Sequence, residues 1–199
     1  MRHGWVYLYE FPPAPTRFQE LVDQLSLDGI SLADPGTGQV IRLSPTGEQI
    51  SSSKQDILRE CANSSDVSFN LYIAPSDHLF ASIFKLSDEI LREGYSLDGK
   101  AEEQSQRVIK NLTQLFSNRA ENRVAFGFVA DEYAELHRDF HWDDFFAGTT
   151  DSPPEWPSII GCSTNFAKVG LIPESLYSRN VAHTHILFNR RAGGAPLKK

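Results

Sequence analysis

The chain has 199 residues, 40% of them apolar and 23% charged, with a formal net charge of −7. These values are those of an ordinary globular chain and exclude wholesale disorder. The negative balance disfavours direct, nonspecific binding to nucleic acid, and the want of an apolar run of about 18 residues argues against a membrane span.

The N-terminal stretch alternates. Trp5-Val6-Tyr7-Leu8-Tyr9-Glu10-Phe11 predicts a first strand, stopped by Pro12, Pro13 and Pro15. Charge arrives too early here for a signal peptide. Thr16 with Gln19 three positions on predicts a capping box. Phe18, Leu21, Val22 and Leu25 then form one apolar helical face, ended by Asp28-Gly29. Residues 30–43 read as a hairpin turning at Gly36-Thr37-Gly38, with Val40, Ile41 and Leu43 on the return arm. Ser53 can cap a short helix bearing Ile57, Leu58 and Cys61.

A strand is predicted over 67–73, with Val67, Phe69, Leu71 and Ile73 on one face. A turn at 74–77 leads to a second strand over 79–86. The longest helix spans 101–119, with Ala101, Val108, Ile109, Leu112, Leu115 and Phe116 as its buried stripe. A strand follows at 123–129. Short strands are predicted at 158–163 and 165–169, a short helix from Pro173 to Tyr177, and a last strand from Val181 to Phe188. Strands come in pairs between helices. The expected class is therefore α+β, a mostly antiparallel sheet with helices mainly on one face. Residues 1–189 are expected to form one domain and 190–199 a flexible basic tail.

Cys61 and Cys162 are the two cysteines and stand far apart, which fits a reducing, cytoplasmic setting. No phosphate loop, dinucleotide fingerprint or nucleophile elbow occurs. His137 and His141 have the i, i+4 spacing of metal ligands on a helix, and His183 and His185 share one side of a predicted strand. Together with Asp139 or Asp143 they define an alternative reading, a metal-dependent hydrolase. Arg138 stands where a zinc protease carries Glu, which sets a cation beside the site. No metal or other cofactor is assigned.

The most distinctive stretch is 131–155. It holds eight carboxylates and one basic residue, Arg138, so its charge of −7 equals that of the whole chain. The carboxylates are Asp131, Glu132, Glu135, Asp139, Asp143, Asp144, Asp151 and Glu155, interleaved with Tyr133, Phe140, Trp142, Phe145 and Phe146. An amphipathic segment would send these aromatics into the core. A binding surface would instead use the acids to attract a basic partner and Trp142 or Phe145 to anchor it.

In size, acidity and want of catalytic motifs the chain resembles bacterial immunity proteins and phage-borne inhibitors. The likeness is one of style and assigns no family; the acidic surface and the want of catalytic motifs point to a protein-binding inhibitor whose partner is a basic toxin or nucleic-acid-handling enzyme. The expected contact residues are Asp131, Glu132, Glu135, Asp139, Trp142, Asp143, Asp144 and Phe145.

Overall fold

The structure is a computed structural model. It describes residues 3–12, 14–63, 66–120, 124–131, 141–151, 157, 159–163, 177–181 and 184–187. Its strands are β1 (His3–Phe11), β2 (Val40–Leu43), β3 (Gln49–Ser52), β4 (Asp66–Ala74), β5 (Asp77–Lys85), β6 (Leu91–Ser96), β7 (Val124–Asp131), β8 (Ile159–Ser163), β9 (Tyr177–Val181) and β10 (Thr184–Leu187). Its helices are α1 (Arg17–Ser26), α2 (Lys54–Asn63), α3 (Glu102–Ala120) and α4 (Trp142–Phe146). The strands form one sheet in the order β3-β2-β4-β5-β6-β1-β7-β8-β10-β9. Every pairing is antiparallel. The fold is α+β, as the paired strands of the sequence imply.

Period-two alternation sorts the side chains onto two faces. On β1, Val6 and Leu8 join the large core under α1, α2 and α3, while Tyr9 turns to a second cluster on the other face. On β7, Ala125 and Val129 face the helices, and Phe126, Phe128 and Ala130 face away. α1 presents Phe18, Leu21 and Leu25 to the core. α3 presents Val108, Leu112, Leu115 and Phe116. Full burial of such side chains stabilises by about 1.5–3 kcal/mol each.

Two glycines let α3 lie close to the sheet. Gly127 and Gly161 face each other across β7 and β8. A Cβ on Gly161 would come within 2.9 Å of Phe116 Cε1, and one on Gly127 within 2.7 Å of Leu8 Cδ2. The absent side chains make room for the Phe116 ring.

Several local expectations change. Thr16 caps α1 only by position: its hydroxyl donates to Glu20 at 2.6 Å, and Gln19 donates to Asp23 instead of closing a box. Ser53 does cap α2, accepting from Asp56 N–H at 3.1 Å. Ala101 precedes α3 and is exposed. Gly36-Thr37-Gly38 does turn the chain, but β2 finds its main hairpin partner in β3. Tyr177 starts β9 rather than ending a helix, and Val181 ends that strand. The expected single strand 181–188 is therefore the end of β9 followed by β10. The expected strand 165–169 and the tail 190–199 lie outside the described residues. Among the described residues, no helix is long and apolar enough to cross a membrane.

Candidate functional site: the α4 edge

α4 is a single short helix set against the sheet face that α1, α2 and α3 leave open. Its turn is closed by Phe145 N–H donating to His141 O at 3.0 Å and Ala147 N–H to Asp143 O at 2.9 Å. Gly148, at φ +74°, ends it in the left-handed conformation that glycine adopts without a Cβ penalty. Trp142, Phe145 and Phe146 are all buried, Trp142 to 5% exposure. The Trp142 ring lies 4.3 Å from Phe128, and Phe146 lies 4.2 Å from Tyr9 and 4.8 Å from Phe126, centroid to centroid.

These contacts correct one expectation. Trp142 and Phe145 are core side chains and do not stand out as anchors for a partner. The sheet supplies the reason: Tyr9, Phe126 and Phe128 leave an aromatic surface that would otherwise face water, and α4 covers it.

Asp143 is also drawn inward. The Tyr9 hydroxyl donates to its Oδ1 at 2.8 Å, and Arg92 Nη1 lies 2.5 Å from its Oδ2. The Arg92 guanidinium sits 4.7 Å above the Phe84 ring and 5.7 Å above Tyr7. Burial, reinforced by the Asp143 charge, pushes the Tyr9 phenol well above its usual value. Burial also raises Tyr7, with Arg92 opposing and Asp143 adding to the shift. Both phenols therefore stay protonated near neutral pH and cannot serve as bases. Tyr9, Asp143 and Arg92 form a clamp that fixes α4 on the sheet.

The outward side of α4 is different. Asp144 has a side chain 55% exposed, and His141 beside it is 80% exposed, with Nδ1 3.9 Å from Asp144 Oδ2. The chain between α4 and position 151 is exposed, and Asp151 with it. Asp131 ends β7 opposite His3, and its side chain lies outside the description. Glu132, Glu135 and Asp139 lie outside the described residues. So do His137 and His183, while His185 is placed only by register, opposite Cys162 and Asn180. Among the described residues, no group of three or more His, Cys, Asp or Glu could hold a metal ion.

Sequence reasoning missed Tyr9 and Arg92. Neither carries a local signal. Tyr9 reads as one more strand aromatic, and Arg92 lies in a stretch where no strand was expected.

No family model, curated protein or solved structure matches the chain.

Proposed function

We propose that this protein is a non-catalytic, protein-binding inhibitor that engages a basic partner through the outward carboxylates of the α4 edge. The observation that carries the reading is the two-sided character of α4. Trp142, Phe145 and Phe146 fix its inner side, while Asp144 and Asp151 stay exposed on a segment that accounts for the whole charge imbalance. A rigid support with an exposed negative rim speeds encounter with a positive surface and selects against like-charged partners. The partner class that fits is a basic toxin or nucleic-acid-handling enzyme, whose phosphate-binding surface carboxylates can occupy.

Charge reversal tests this. Asp144→Lys with Asp151→Lys changes two exposed side chains and leaves the Asp143 clamp intact. In a paired capture from the native host, the unaltered protein should retain a basic protein that salt releases. The double variant, with an unchanged melting temperature, should lose it. Equal retention by both chains would defeat the proposal.

A further inference from the structure

β3 lies at one end of the sheet order, and among the described residues nothing pairs its outer side. The hairpin to β2 fixes which backbone groups point there. Ser44 N–H donates to Glu48 O and Gly47 N–H to Ser44 O, both at 2.9 Å. Gly47, at φ +84°, supplies the left-handed bulge this turn requires. Ser44 and Glu48 are thus a hydrogen-bonded pair, and bonded and non-bonded pairs alternate along an antiparallel ladder. Leu43–Gln49 is non-bonded, Arg42–Ile50 bonded, Ile41–Ser51 non-bonded and Val40–Ser52 bonded. The N–H and C=O of Gln49 and Ser51 therefore point away from β2.

Edge strands are commonly protected by charge, proline, a bulge or short length. The Gly47 bulge and Glu48 lie just before β3 and the strand has four residues, but Gln49–Ser52 itself holds no charge, proline or bulge. Gln49, Ile50 and Ser51 are exposed, and Ile50, at 37%, is one of two large exposed hydrophobic residues among those described.

We propose that β3 is a homodimerisation edge, where two copies pair β3 to β3 antiparallel about a two-fold axis at Ile50 and join their sheets. Within Gln49–Ser52 this register alone sets both outward residues of each copy against outward residues of the other. Gln49 meets Ser51 of the second copy, and Ser51 meets Gln49, as two bonded pairs. Ile50 then meets its own counterpart in the non-bonded pair between them, where side chains come closest. Glu48 faces Ser52, so no like charges oppose each other along the paired strands. A self-complementary patch of this kind is what a two-fold interface requires.

An engineered cysteine reads the register directly. The variant Ile50→Cys places two thiols across the axis at a separation a disulfide can span. Native Cys61 and Cys162 are both buried, with thiols pushed up to about 12 by that burial, so they do not compete. Mild oxidation should give a covalent dimer with Ile50→Cys and little with Ser51→Cys, whose thiol faces Gln49. Sedimentation over a dilution series should show a monomer–dimer equilibrium for the native chain. Ser51→Pro, which deletes an outward N–H that an edge strand can spare, should shift it to monomer with the melting temperature unchanged. A native chain that stays monomeric at its solubility limit, as expected if the edge takes an extended segment of another protein, overturns the proposal. So does a dimer that Ser51→Pro leaves intact, or equal cross-linking of the two cysteine variants.

Discussion

Glu93 and Arg119 meet at 2.8 Å with side chains 1% and 5% exposed, a carboxylate and a guanidinium sealed between the helices and the sheet. Glu93 Oε2 also accepts from the Tyr95 hydroxyl at 2.7 Å. Arg119 donates further to Arg17 O at 2.6 Å and pairs with Glu20 at 3.2 Å. Burial, the largest single influence, works against the charged form of Arg119, but the Glu93 charge and hydrogen bond, with smaller help from Tyr95 and Glu10, together outweigh it and hold the guanidinium firmly protonated. Removing one partner leaves an uncompensated buried charge. Arg119→Met should therefore cost about 3–5 kcal/mol in urea denaturation. Adding Glu93→Met should recover much of that loss, because the remaining charge goes too. A double variant as unstable as the sum of the two singles would show that the pair does not act as a unit.

Close approach of α3 to the sheet depends on Gly161. Alanine there meets Phe116 Cε1 at 2.9 Å, an overpacking expected to cost about 1–3 kcal/mol. Phe116→Leu in the same chain should relieve the clash, so the pair should lose less than the two singles together. Strict additivity in chemical denaturation would place the strain elsewhere.

Asp77 gives a pH signature. Its carboxyl accepts from Lys100 Nζ and from Gln104 Nε2 at 2.7 Å. The Lys100 hydrogen bond is the main reason its pKa lies below the ordinary 3.8, with Gln104 and the Lys100 charge adding to it against burial. A carboxyl lowered by folding contributes stability that is complete above the unfolded value. As pH falls below about 4 the unfolded chain binds the proton first, and the contribution fades. Melting temperatures of the native chain and Asp77→Asn should differ at neutral pH and converge in acid. A gap that stays constant across the titration would contradict this role.

Strong period-two or helical patterns made much of the fold legible. β1, β4 and α3 could be read because apolar residues recur at regular spacing along them, even though Glu10, Asn70 and Arg119 are buried in the same elements. β6 could not, since Glu93 occupies an inward position between Leu91 and Tyr95. Its compensating charge, Arg119, stands 26 residues on. β3 is an exposed edge, so Gln49-Ile50-Ser51-Ser52 has no buried face to impose alternation. In the acidic stretch, the sequence revealed the charge but not the direction of each side chain. Trp142 is core because Phe126 and Phe128 lie beneath it, a contact set by strand order rather than by local spacing. Asp143 and Asp144 are neighbours of the same type. One is held by Tyr9 and Arg92, and the other faces water.

Association kinetics with the captured basic partner test acidic docking most directly. Exposed rim charges act mainly on the rate of encounter. The Asp144→Lys/Asp151→Lys chain should associate at least about tenfold more slowly than the native chain at low salt, with the difference shrinking as ionic strength rises. An association rate within about twofold of native at low salt would contradict docking through the α4 edge.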